Sequence, residues 1–185
     1  MKHIKLLFLF SLVSMVCLPL WAADHLLKSP NGKLIVEIET EGQLSYTLKH
    51  SNQVILKKSP IGLILDNKTL GENAKVSHAK HRLSVKEHIV SPHYRFPAFD
   101  VIYNELDLKL KDNYGIIFRA YNGGIAYRFY TTMKEAIIIK NEIAEMNFPK
   151  DYPAYMAYST VQPGKDQYVM AFQNIYTKST LKGIN

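Results

Sequence analysis

Glu105-Leu106-Asp107-Leu108-Lys109-Leu110-Lys111 alternates charge and leucine without a break. In an extended chain successive side chains point to opposite faces, so the leucines share one side and the charged residues the other. A slip of one residue in pairing would turn every charge of the stretch into the core, so the register is strongly specified. The stretch reads as a half-buried β-strand, with Leu106, Leu108 and Leu110 facing inward.

The same period recurs on both sides of it. Leu34, Val36 and Ile38 alternate with Glu37 and Glu39, and Leu44, Tyr46 and Leu48 with Ser45, Thr47 and Lys49. Further strands are expected near residues 54–57, 61–65, 83–90, 116–121, 125–130 and 136–139. Between them stand turn residues that tolerate positive φ or tight hairpins: Pro30-Asn31-Gly32, Glu41-Gly42, Ser51-Asn52, Asp112-Asn113 and Asn122-Gly123-Gly124. The only stretch to suspect of helix is 133–146, and its Ile137-Ile138-Ile139 triplet favours strand. No repeat, low-complexity tract or linker interrupts the pattern. Many short strands with frequent turns predict an all-β fold, an antiparallel sandwich.

At the amino end, Lys2 and Lys5 precede an apolar run over residues 6–20, and Trp21-Ala22-Ala23 follows. This is the pattern of a secretory signal peptide, residues 1–22, cleaved after Ala22. A run of that length falls short of the roughly 20 residues that a bilayer demands, so no membrane anchor is expected. The single cysteine, Cys17, lies inside this segment, and Ser14-Met15-Val16 before it lacks the small residue that lipidation requires. The exported chain, periplasmic or secreted, then has no disulfide to rely on. Residues 23–185 form one domain of a size that buries a substantial core.

Cleavage removes two lysines and no acid, which lowers the formal net charge from +7 to +5. The remaining Lys and Arg residues are scattered, without the clustered stripe of a nucleic-acid footprint, so no nucleic-acid partner is expected.

Carboxylates are the first candidates for chemistry, because glycoside hydrolysis uses a pair of them. Asp100, Glu105 and Asp107 are close in sequence, but Glu105 and Asp107 fall on the polar side of an amphipathic strand, where a solvated face is expected. His78, His81, His88 and His93 are interleaved with Lys80, Arg82 and Lys86 and lack the tight spacing of a zinc site. They read as an exposed basic strand and loop. There is no Gly-x-Ser-x-Gly elbow and no phosphate-cradling Gly-x4-Gly-Lys motif. Tyr152, Tyr155, Tyr158, Tyr168, Phe172 and Tyr176 crowd the last part of the chain. Tyrosine offers a sugar ring an apolar face and a polar tip, and it serves equally in core or interdomain packing, which is favoured here.

Three blocks, in order, resemble the N-terminal domain of glycoside hydrolase family 97, exported bacterial enzymes that cleave α-glucosides or α-galactosides. Leu27-Lys28-Ser29-Pro30-Asn31-Gly32-Lys33-Leu34 is similar to that domain's first hairpin, and Tyr103-Asn104-Glu105-Leu106 to its Tyr-Asn-Glu-Leu signature. Arg119-Ala120-Tyr121-Asn122-Gly123-Gly124-Ile125-Ala126-Tyr127-Arg128-Phe129 resembles its Arg-Ala-Tyr-Asn-Asp-Gly-Ile-Ala-Phe-Arg-Tyr block, with Gly123 where the family has Asp. The likeness runs over residues 26–181.

The resemblance implies a β-sandwich of the galactose-mutarotase-like kind that packs on a (β/α)8 catalytic barrel acting on an α-linked oligosaccharide. It places the catalytic carboxylates in that barrel, and no barrel strand is expected before Asn185. It further implies a calcium ligand at Gln173, where the family carries glutamate; an amide oxygen can bind Ca²⁺ but brings no charge. Tyr168 and Tyr176 are the weak candidates for substrate contact. The expected role is an accessory domain that is not catalytic alone, with a stand-alone carbohydrate-binding sandwich as the alternative.

Overall fold

The computed structural model describes residues 25–93, 95–158 and 174–184. The predicted leader, residues 1–22, lies outside the described residues, as do Tyr168, Phe172 and Gln173. The described residues form twelve strands: β1 (His25–Lys28), β2 (Leu34–Glu39), β3 (Ser45–His50), β4 (Gln53–Leu65), β5 (Thr69–Leu70), β6 (Val76–Val90), β7 (Ala98–Leu110), β8 (Tyr114–Tyr121), β9 (Ile125–Thr131), β10 (Ile139–Ala144), β11 (Pro153–Met156) and β12 (Thr177–Thr180). Among the described residues one 3-10 turn, Leu181–Gly183, follows β12, and there is no α-helix.

One sheet has the order β1-β2-β3-β4-β10, with β5 paired to β4; a second has the order β6-β7-β8-β9; β11 and β12 form a separate ribbon. All the pairings are antiparallel. The two larger sheets close a sandwich over one core. Leu34, Val36, Ile38, Leu44, Tyr46 and Leu48 meet Leu106, Leu108, Leu110, Ile116, Phe118 and Ala120 there, which fulfils the alternation of the opening stretch.

Four of the five predicted turns use the left-handed region. Gly32, Gly42, Ser51 with Asn52, and Asp112 with Asn113 have positive φ. Gly123 and Gly124 do not, and Gly123 has open space where a Cβ would stand. The turn therefore imposes no demand for glycine at position 123.

Some strand boundaries differ from expectation. The two short strands at 54–57 and 61–65 are one, β4, which runs through Pro60: its first half pairs β3 and its second half pairs β10 and β5. Proline is tolerated where β4 changes partner, because only its carbonyl is needed, accepting from Glu145 N at 3.1 Å. The strand expected at 136–139 instead spans Ile139–Ala144, beginning where Ile139 meets Leu65. Ile137 packs against the core rather than entering a ladder. Strand β6 is nearly twice its expected length, and it escapes a period-two reading because almost every residue on it is exposed. It is a sheet edge, and its Lys80, Arg82, Lys86 and bulges are the usual protection of an edge against strand addition.

Candidate functional site

The outward face of the β6–β9 sheet is built by register. Asp112 and Asn113 close the β7–β8 hairpin so that Leu110 faces Tyr114, and counting back along the ladder sets Glu105 opposite Arg119. On its other side Glu105 faces Arg82 of β6. Residues on one rung project from the same face, so both guanidiniums converge on one carboxylate. Arg119 Nε donates to Oε2 at 2.8 Å, while Arg82 donates to Oε1 from Nε at 2.9 Å and from Nη2 at 2.5 Å.

The expectation of a solvated Glu105 is thus overturned: it is only 3% exposed, although no third layer covers this face among the described residues. The cover comes from its neighbours. The Arg119 guanidinium lies 4.3 Å above the Tyr103 ring, and Tyr103 packs on Tyr121 at 5.2 Å. The Tyr103 hydroxyl donates to Glu87 Oε2 at 3.0 Å, which also receives Arg119 Nη1 at 3.4 Å.

Asn104, on the opposite face, has a separate task. Its amide donates to Lys28 O at 2.7 Å, and its oxygen accepts from Ser84 N at 2.6 Å. Ser84 is the residue with φ of 51° at the β6 bulge, so Asn104 ties that bulge to β1. Each residue of Tyr103-Asn104-Glu105-Leu106 therefore has a defined structural job.

Burial alone would push the Glu105 carboxyl up, but hydrogen bonds and charge from Arg82 and Arg119 outweigh it and hold the group below the ordinary carboxylate range. A general acid needs the reverse, a pKa raised toward the working pH. Both oxygens are also occupied. The cluster is a strap across β6, β7 and β8. Asp107 is half-buried and accepts the Tyr130 hydroxyl at 2.8 Å, and Tyr130 lies over Gly115 so closely that a Cβ there would stand 2.4 Å from its ring. Asp100 is exposed and paired to His88 Nδ1 at 2.7 Å.

The histidines are exposed, as expected, with His78 and His81 strung along β6. Among the described residues no three His, Cys, Asp or Glu side chains come together as metal ligands would. The expected calcium ligand, Gln173, lies outside the described residues.

The described aromatics of the C-terminal part are not core. Tyr155, Tyr158 and Tyr176 are exposed, with Ile175 beside Tyr176 at 92%. Tyr152 packs edge-on to Phe148 at 6.0 Å under Lys150. Neither sequence periodicity nor motif had marked Arg82, Arg119 and Tyr103 as one unit. Counting outward from the Asp112-Asn113 turn would have paired Arg119 with Glu105.

The family model described as glycosyl-hydrolase 97 N-terminal matches residues 27–185. The chain belongs to this family. A retaining alpha-galactosidase of Bacteroides thetaiotaomicron is 40% identical over 165 residues, which cover 86% of the chain and 24% of that protein. The crystal structure of a beta-arabinopyranosidase superposes with a TM-score of 0.71 at 20% identity, covering 83% of this chain and 26% of that one. A family 97 enzyme from Pseudoalteromonas sp. strain K8, in complex with acarbose, gives 0.67 at 16% identity, covering 84% and 24%. These structures show the shared sandwich fold. The family 97 N-terminal chain spans about a quarter of the length of each of these relatives.

Proposed function

We propose that this chain is the accessory β-sandwich domain of an exported family 97 α-glycosidase, and that it packs on a (β/α)8 catalytic barrel acting on an α-linked oligosaccharide. The observation that carries the reading is the coverage: most of the chain matches a retaining alpha-galactosidase that is about four times longer. The exposed apolar side chains Ile139, Met146, Ile175 and Tyr176 support it, because a partner surface would bury groups that water tolerates poorly. The Glu105 strap supports it too, since its carboxylate is spent on holding strands together.

Calcium belongs to the proposal only through Gln173, whose amide oxygen would supply one neutral ligand beside charged groups outside the described residues. Gln173→Glu is expected to tighten calcium binding by the assembled protein, and unchanged binding would remove Gln173 from the site.

The test is activity of the isolated chain on aryl α-galactosides and α-glucosides, together with its association state. No hydrolysis and concentration-dependent self-association are expected. Turnover by the lone chain that disappears in Glu105→Gln would overturn the reading.

A further inference from the structure

An open pocket of about 600 Å³ lies where three connections of the sandwich meet: the β4–β5 turn, the β7–β8 turn and the segment between β9 and β10. None of its lining belongs to the Glu105 strap or to the C-terminal aromatics. Its volume falls within the roughly 300–1,000 Å³ of small-ligand sites. Loops gathered at one end of a rigid sandwich are where such folds place recognition.

Backbone hydrogen bonds close one wall on itself and join the other two. Leu65 N donates to Lys68 O at 2.8 Å and closes the first turn, while Thr132 N donates to Asn113 O at 2.8 Å and joins the second turn to the third segment. Met133 and Ile137 pack against the core and give the pocket an apolar floor. The cavity is therefore preformed.

Its chemistry selects the ligand class. The charged lining residues are Asp66, Lys68, Lys134 and Glu135, which cancel. Asp66 is further matched by Lys140 at 2.9 Å, and Lys68 stands 3.9 Å from Asp112. An anion or cation would find no net complement. The side-chain amides of Asn67 and Asn113 line the pocket without a protein partner among the described residues, and an amide both donates and accepts, as vicinal hydroxyls do.

We propose that this pocket is a sugar-binding site for a neutral, hydroxyl-rich ligand, an α-linked oligosaccharide, read by the Asn67 and Asn113 amides over the Met133 and Ile137 floor. The pocket itself carries the choice of a neutral polyol; the α linkage rests on the function proposed above.

The experiment is a titration of the ¹⁵N-labelled full chain with raffinose, with maltotriose and with inorganic phosphate, followed by amide shifts. Saturable shifts centred on Asn67, Asn113 and Thr132 are expected with at least one trisaccharide and not with phosphate. Asn67→Ala, and Asn113→Gly, which keeps the left-handed backbone, are each expected to weaken binding by about tenfold or more with an unchanged unfolding midpoint. The proposal is overturned by an absence of saturable shifts with both sugars, by shifts centred on Tyr155 or Tyr176, by phosphate occupying the pocket, or by unchanged affinity in Asn67→Ala. Loss of this site would leave the accessory-domain reading standing, whereas turnover by the lone chain would remove that reading and leave sugar binding here intact.

Discussion

Glu105 and Arg119 face each other across the β7–β8 ladder, with Arg119 Nε donating to Glu105 Oε2 at 2.8 Å while the same guanidinium lies over the Tyr103 ring. The carboxylate is buried and its two cationic partners are only partly so, at 30% side-chain exposure for Arg119 and 47% for Arg82. Removing the shared anion leaves both cations facing each other. Glu105→Gln is expected to lower stability by on the order of 2–3 kcal/mol, less than a fully buried pair loses because both guanidiniums reach water. Urea unfolding of the two proteins measures it. Arg119→Met should destabilise more than Arg82→Met, since Arg119 also covers Tyr103; the reverse order would refute the assigned geometry.

Acid sensitivity follows from the same carboxylate. Its folded value is depressed, so the unfolded chain binds the proton first as pH falls. The contribution is complete above the unfolded glutamate value of about 4.3 and is lost as pH falls through the folded value. Glu105→Gln should therefore show a flatter decline in unfolding midpoint below about pH 4.3 than the parent. Parallel curves through that range would mean that Glu105 is not held ionised by its neighbours.

Much of this was legible beforehand, and the failures have definite causes. The Leu106, Leu108, Leu110 face was readable because period two and full burial coincide there. Glu105 was misread because polarity along a strand reports a face and not its cover; the cover comes from Arg82 and Arg119 on other strands, and only ladder register brings them in. Strands are expected separately at 54–57 and 61–65, yet they are one, because β4 passes through Pro60 by changing partners. The candidate sugar pocket escaped because Asp66, Asn67, Asn113 and Thr132 lie in separate turns that the topology alone unites.

Alkaline behaviour tests the Tyr130 contact with Asp107. Burial first, and then the Asp107 carboxylate, push the Tyr130 phenol up to about 12. The unfolded phenol ionises near about 10, so the unfolded state gains over the folded state as pH rises from there toward the folded value, and stability is lost across that window. Tyr130→Phe should shrink this alkaline loss in thermal unfolding. An unaltered alkaline slope would place the hydroxyl away from Asp107.

Gly115 gives an independent check on the same ring. A Cβ there would stand 2.4 Å from the Tyr130 ring, which its bond to Asp107 restrains from moving aside. Gly115→Ala is expected to cost about 1–3 kcal/mol, the range for overpacking. Combining it with Tyr130→Ala should recover most of the steric part, because the clashing ring is gone. Additive losses in that pair would show that the glycine is needed for the β8 backbone itself and not for the ring above it.

Self-association tests the exposed apolar side chains. Ile175 and Tyr176 are 92% and 68% exposed and stand just before β12. Apolar side chains exposed together favour contact with another surface, and in the isolated chain the readiest one is a second copy. Ile175→Ser with Tyr176→Ser should move sedimentation toward the monomer while the unfolding midpoint stays constant, because neither residue belongs to the core. Association that persists unchanged would shift attention to Leu83, Val90 and Phe96 on the exposed β6–β7 hairpin, which offer the next set of apolar side chains.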